Sequence, residues 1–168
     1  MRLPHHPEPD RPGEGQESVW DYPRPAICEP SARHIRIIHR GHMLADTARA
    51  WRTLETSHPP TYYIPTTDIT MAHLAPNPHR SLCEWKGQAH YWDVTIGEDH
   101  FTAAAWSYPA PTRAFGPIAG FIAFYPEPFE QCLVDGEPIT PQPGGFYGGW
   151  ISRHEAGPFK GGPGSRFW

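Results

Sequence analysis

Gln88-Ala89-His90-Tyr91-Trp92-Asp93-Val94-Thr95-Ile96, a break at Gly97-Glu98-Asp99, then Phe101-Thr102-Ala103-Ala104-Ala105-Trp106-Ser107-Tyr108: this stretch decides the fold. Both runs are rich in β-branched and aromatic residues, and the break between them is a turn signal. Ser81 to Lys86 precedes them, with Lys86-Gly87 as a second turn, so the three segments read as an antiparallel meander. Upstream, Ile35, Ile37 and Ile38 form one strand, Arg40-Gly41-His42 a turn and Met43 to Asp46 the return strand. Residues 48 to 55 read as a third strand that puts Trp51, Thr53 and Glu55 on one face, opposite Ala50, Arg52 and Leu54. A helix over 45 to 55, suggested by its Ala and Arg, ranks second. Thr61 to Ile64 is a short strand. Thr67-Asp68-Ile69-Thr70 begins as a capped helical turn that Pro76 stops, the one helix expected. Ile118 to Tyr125 and Gln131 to Thr140 complete the set, with Asp135-Gly136 as a two-residue hairpin turn. Short strands at this spacing imply a mainly β, antiparallel sandwich or barrel-like roll.

The 168 residues suffice for one domain. Proline (22) and glycine (16) approach the level of disordered chains, but seven Trp, seven Tyr and eight Phe supply large areas to bury. Residues 1 to 16 hold four prolines and no periodic pattern, so they are expected to form a solvated, disordered arm. Residues 17 to 141 are then the domain, with Val19-Trp20-Asp21-Tyr22-Pro23-Arg24-Pro25 as an extended N-terminal strap. Residues 142 to 168 are a Gly/Pro/aromatic tail packed on it. A net charge of −4 and a pI near 6.2 remove the basic character that nucleic-acid binding requires. Cys28, Cys83 and Cys132 are odd in number and lack a Cys-x-x-Cys pair, which argues against a disulfide framework or a zinc ribbon and fits reduced cytoplasmic thiols. The start of the chain lacks the apolar core of a signal peptide, and Ile118 to Tyr125 is too short to span a bilayer. No membrane or nucleic-acid partner is expected, whereas self-association stays open.

Ser18 to Pro25, Leu54-Glu55-Thr56-Ser57-His58-Pro59-Pro60-Thr61-Tyr62-Tyr63, Trp85-Lys86-Gly87 with Tyr91-Trp92, Ala104-Ala105-Trp106-Ser107-Tyr108-Pro109 and Ile118 to Tyr125 occur in order. In these blocks the chain resembles domain-of-unknown-function family four-two-seven, also filed as nucleotidyltransferase-like, over roughly residues 17 to 135. The resemblance implies a β-tent-like roll of two antiparallel sheets meeting at an angle, related in shape to zinc-bearing tents. This chain lacks their paired Cys-x-x-Cys knuckles, so no zinc is expected. Nucleotidyl transfer needs a carboxylate pair for magnesium and a phosphate cradle, and the chain has neither a Gly-Ser followed by Asp-x-Asp nor a G-x-x-x-x-G-K-[ST] run.

Glu55-Thr56-Ser57-His58-Pro59-Pro60 ends a strand with a carboxylate, two hydroxyls and an imidazole, and is the leading candidate site. Desolvation of Glu55 beside Trp51 would suit it to general acid or base work, with His58 beside it. The structural alternative is a Glu55 that caps loop amides and a solvated His58. Lys86, between Trp85 and Gly87, is placed to hold an anionic group or act as a base, against the alternative of a plain hairpin lysine. Arg24 between two prolines is a candidate carboxylate or phosphate fork, or else a surface ion pair. Tyr63, Trp85, Tyr91, Trp92, Trp106, Tyr108 and Tyr125 are candidates to line an aromatic pocket, although strand alternation sends one of each adjacent pair into the core. A Ser57-His58-Asp triad is disfavoured, because adjacent Ser and His aim poorly at each other and no Gly-x-Ser-x-Gly elbow exists.

Three functions follow as expectations. The first is an acid–base enzyme without cofactor or metal, of isomerase, dehydratase or cyclase type, acting on a small organic molecule through Glu55, Lys86 and His58. The second is a non-catalytic module that binds a small ligand in the aromatic pocket. The third is an interaction protein that uses the Trp20 strap and the tail.

Overall fold

A computed structural model describes residues 6–168; residues 1–5 of the N-terminal arm lie outside the described residues. The meander forms a four-stranded antiparallel sheet in the order β10 (Ile122–Phe124), β9 (Asp99–Ser107), β8 (Gly87–Ile96), β7 (Leu74–Cys83). A second four-stranded sheet has the order β12 (Glu137–Pro138), β11 (Gln131–Val134), β3 (Ile35–His39), β4 (His42–Thr47). A third holds β2 (Ile27–Pro30), β5 (Trp51–Leu54) and β6 (Thr61–Tyr63). The third sheet continues the first. Ile64 and Ile122 exchange backbone hydrogen bonds of 2.8 and 2.9 Å, which joins β6 to β10 beyond the ladder ends. Two layers therefore result, the mainly β, tent-like roll of antiparallel sheets. The flanking pairs are parallel β1 (Glu17–Ser18) with β15 (Glu155–Ala156) and antiparallel β13 (Thr140–Pro141) with β14 (Trp150–Ile151).

Period-two alternation divides the meander between two interiors. Val94, Ile96, Ala105, Ile122 and Phe124 face the second sheet and meet Ile35, Ile37, Leu44 and Val134 there. Their neighbours Trp106, Tyr108 and Ala123 face the other way and pack with Tyr63, Phe115 and Ile118. The register makes this explicit: Tyr91 pairs with Trp106 and Trp106 with Ala123 in one cross-strand row, while Trp92, Ala105 and Phe124 form the adjacent row. The 135–136 turn has positive φ at both Asp135 (50°) and Gly136 (81°), the type I′ geometry that the dipeptide favours.

Several expected boundaries move. Among the described residues there is no α-helix, only short 3-10 turns, two of them at Thr66–Asp68 and Met71–His73. Pro76 stops no helix. It lies inside β7, opposite Trp92, in a strand that starts seven residues before Ser81. Proline is tolerated there because β7 is an edge strand, and the ladder slips between Asn77 and Arg80 around Pro78. Residues 113 to 118 also form a 3-10 turn, so the apolar run ending at Tyr125 contributes only three strand residues. Residues 51 to 54 are strand, as the ranked reading expects, and not helix.

The tail belongs to the core. Trp150 is 2% exposed, packs edge-on against Tyr62 and donates its indole N–H to Phe124 O at 3.1 Å. Burying a ring system of this size removes ~150–250 Å² from water. That is worth about 4–6 kcal/mol before ordering entropy is subtracted. Strap and tail also hold each other: Trp20 Nε1 donates to Pro158 O (2.9 Å), its ring lies 5.6 Å from that of Trp168, and Asp10 N donates to Gly157 O (2.8 Å). At the strap's root a partly buried ionic network links Glu17 to Arg33 and Arg52, and Arg33 to Glu155.

Candidate functional site

Three segments converge on one place: the corner after β5, the turn between β7 and β8, and the tail. The corner is built by the strap. Ser57 N donates to Val19 O (2.9 Å), Thr56 N to Pro23 O (3.2 Å) and Thr56 Oγ1 to Tyr22 O (2.6 Å). His58 N donates to Glu55 O (3.0 Å), which closes a turn with Ser57 at φ 71°, left-handed backbone that a non-glycine residue adopts at a cost of order 1–3 kcal/mol. Glu55 and His58 thereby point to the same side. The second segment is pinned by Thr112, whose N–H donates to Lys86 O (2.9 Å) and whose hydroxyl donates to Trp85 O (2.6 Å). Gly87 at φ 108° lets the chain turn back into β8.

A small polar recess of about 80 Å³ lies between these segments, lined by Thr53, Glu55, His58, Thr61, Lys86, Gln142 and Tyr147 among others. It adjoins a groove of about 610 Å³, walled by Tyr63, Trp85, Tyr91, Trp106, Tyr108 and Tyr125 and rimmed by Leu82 and Phe146. Glu55, Thr61, Lys86 and Tyr147 line both, so they mark the junction. The groove has the size of a pocket for a small organic molecule.

The hydrogen bonds at the junction determine a tautomer. Gly149 N–H donates to Gln142 Oε1 (3.2 Å), so the other end of that amide is the NH2 group. It donates to Lys160 O (2.9 Å) and to His58 Nδ1 (3.0 Å). With Nδ1 accepting, the imidazole proton is on Nε2, 3.3 Å from Glu55 Oε2. The other carboxylate oxygen, Oε1, accepts the Trp85 indole N–H at 3.3 Å. Burial pushes His58 down to about 4, further favoured by the charges of Lys160, Lys86 and Arg24 and opposed by Glu55. It is a neutral donor at physiological pH. Tyr147 closes the recess edge-on to the imidazole, with ring centroids 4.7 Å apart.

Three of the groove phenols are held in their protonated form. Burial pushes Tyr63 and Tyr108 far up and Tyr125 to about 12, so each keeps its proton. Tyr63 accepts the Trp106 indole N–H at 3.2 Å, and Trp106 stacks at a tilt on Tyr125 with centroids 4.6 Å apart. Burial likewise raises the Cys28 and Cys132 thiols, which disfavours thiolate chemistry there. Among the described residues no three His, Cys, Asp or Glu side chains converge in a metal-ligating group. Ser57 Oγ is buried without a partner among the described residues, and His58 is engaged by Glu55 and Gln142, so no serine triad forms.

A family model described as a domain of unknown function, DUF427, matches residues 27–135. The chain belongs to this family. No curated protein matches it. The DUF427 segment carries Glu55, His58, Tyr63, Trp85, Lys86, Trp106, Tyr108 and Tyr125, all of which the fold brings to the recess or groove. Two expected residues lie elsewhere. Trp92 alternates to the opposite face, where it packs on the inter-sheet core and donates Nε1 to Ser107 Oγ at 3.0 Å. Arg24, outside both cavities, donates to Trp168 O at 3.2 Å. Sequence reasoning missed Gln142 and Tyr147, which come from the tail beyond the DUF427 match. An aromatic pair set between glycine pairs, Gly144-Gly145-Phe146-Tyr147-Gly148-Gly149, was a usable signal for Tyr147; an isolated Gln142 between Pro141 and Pro143 offered none.

Proposed function

We propose that this DUF427 protein is an enzyme that moves a proton on a small organic molecule by acid–base chemistry of its own side chains, in the manner of an isomerase, dehydratase or cyclase. Glu55 takes up and returns the proton, and the aromatic groove holds the substrate. The supporting observation is the carboxylate at the junction of recess and groove, with the Trp85 indole N–H donating to Oε1 at 3.3 Å and His58 Nε2 lying 3.3 Å from Oε2. The indole donor and the neighbouring imidazole orient Glu55. Gln142 occupies His58 Nδ1, and a proton there would displace that donor, so the imidazole positions Glu55 and does not relay the proton onward. Glu55 therefore returns the proton, after exchange with solvent, to the same bound molecule, which is the pattern of one-base isomerisation or elimination.

A thermal-shift screen of metabolites identifies ligands, and solvent-deuterium incorporation into each, followed by proton NMR, reports the chemistry. Glu55→Gln is expected to lower exchange by ~10²–10⁴-fold with little change in affinity. An unchanged exchange rate removes Glu55 from the mechanism. Saturable binding with no exchange supports instead a non-catalytic small-ligand module, the reading favoured by the groove's volume and ring-lined walls.

A further inference from the structure

We propose that the groove takes a small aryl carboxylate, its ring between the tyrosine and tryptophan walls and its carboxylate on the Lys86 ammonium; this rests on the reading of the groove as the substrate site. Hydrogen-bond accounting at the junction carries the inference. Glu55 Oε1 accepts the Trp85 indole N–H, and Oε2 lies 3.3 Å from His58 Nε2. Gln142 has spent its carbonyl on Gly149 and its NH2 on His58 and Lys160. His58 Nδ1 is taken by that same amide, and Nε2 faces Glu55. Lys160 Nζ and Arg24 both reach Trp168 O, at 3.3 and 3.2 Å.

Lys86 is different. It carries three N–H donors, and its contacts among the described residues are Cys83 Sγ at 3.9 Å and the face of Phe115 with the centroid at 5.6 Å. No carboxylate among the described residues forms an ion pair with it. The Thr61 and Tyr147 hydroxyls beside it can donate or accept, whereas the ammonium calls for an oxygen acceptor, and a charged one satisfies it best. An ammonium ligand would instead place a second cation beside Lys86.

Shape gives the remainder. The recess, at about 80 Å³, holds a few waters or a headgroup of that size; a water needs ~10–15 Å³ on the same measure. Lys86 lines both cavities, so a carboxylate held there leaves the rest of the molecule in the groove. There Trp106, Tyr125, Tyr108 and Tyr91 line the walls, and a flat ring packs on aromatic rings better than a branched aliphatic body does.

Isothermal titration of the full chain with 3-phenylpropionate, 3-phenylpropionamide and 3-phenylpropylamine tests this, because the three share ring and linker and differ in the headgroup. The acid is expected to bind at least tenfold more tightly than the amide, and the amine more weakly still. In Lys86→Met the acid should lose its preference over the amide, and Lys86→Arg should retain it. Saturable binding of the amide by Lys86→Met controls for misfolding. Equal or tighter binding of the amide or amine, binding of none of the three, or an acid preference that survives Lys86→Met overturns the proposal. These titrations do not depend on turnover. A carboxylate preference without Glu55-dependent exchange would overturn the catalytic reading alone, whereas Glu55-dependent exchange confined to neutral or cationic ligands would overturn this one alone.

Discussion

Replacing His58 with glutamine should flatten the dependence of folding stability on mildly acidic pH. In the folded chain burial holds this imidazole at about 4, against 6.5 when it is exposed. Between those values the unfolded chain binds the proton and the folded chain does not, so stability rises with pH and is lost as pH falls from 6.5 towards 4. The full loss, with each unit worth 1.36 kcal/mol, is about 3 kcal/mol. Between about pH 7.5 and about pH 5 the share from His58 is about 2 kcal/mol, a measurable part of the ~5–15 kcal/mol of a typical domain. Urea unfolding followed by tryptophan fluorescence at these two pH values, on wild type and His58→Gln, isolates the term. Carboxylates held below their usual range, such as Glu17 and Asp135, and the raised Glu155 are present in both proteins and cancel. The reasoning fails if both proteins lose the same stability, or if the His58 ring protons titrate near 6.5 in the folded state by NMR.

Three other substitutions probe the supports of the site. Gly148→Ala places a methyl 2.8 Å from Trp106 Cη2 and 2.9 Å from Tyr125 at φ 75°, so it should cost at least ~1 kcal/mol and weaken ligand binding; unchanged urea midpoint and affinity would mean that the loop yields freely. Gln142→Ala strips partners from Gly149 N, Lys160 O and His58 Nδ1 in a buried position and should cost about 1–3 kcal/mol, while His58 becomes easier to protonate. Denaturation and an NMR titration check both parts. Arg33→Met leaves the fully buried Glu155 side chain without its guanidinium and should cost about 3–5 kcal/mol at neutral pH, less in acid where Glu155 is protonated. A loss independent of pH would refute the ionic origin.

The strand pattern was legible because local chemistry enforces it. Turn residues at Gly97-Glu98-Asp99 and Asp135-Gly136 and the alternation of the meander act over a few residues, and the expected hairpins form there. Alternation also separated the core row from the groove row, so Trp106 and Tyr108 faced the pocket, although the same rule applied without register left Trp92 on the wrong side. Pro76 misled because a proline that ends a helix is equally at home on a sheet edge, and only the strand order makes β7 an edge.

The corner 55–58 and the turn at Lys86 could be nominated from sequence, since a carboxylate, an imidazole and an ammonium beside turn residues announce themselves. What joins them could not. The strap fixes the corner through Val19 and Pro23, Thr112 fixes the turn, and Gln142 sets the His58 tautomer from 84 residues away. The amino-acid sequence by itself determined a mainly β chain with its acid–base residues and its aromatic rows. Which face each row took, and the neutral imidazole behind Glu55, were decided by long-range packing, because desolvation and hydrogen-bond partners exist only once the layers and the tail have closed around the site.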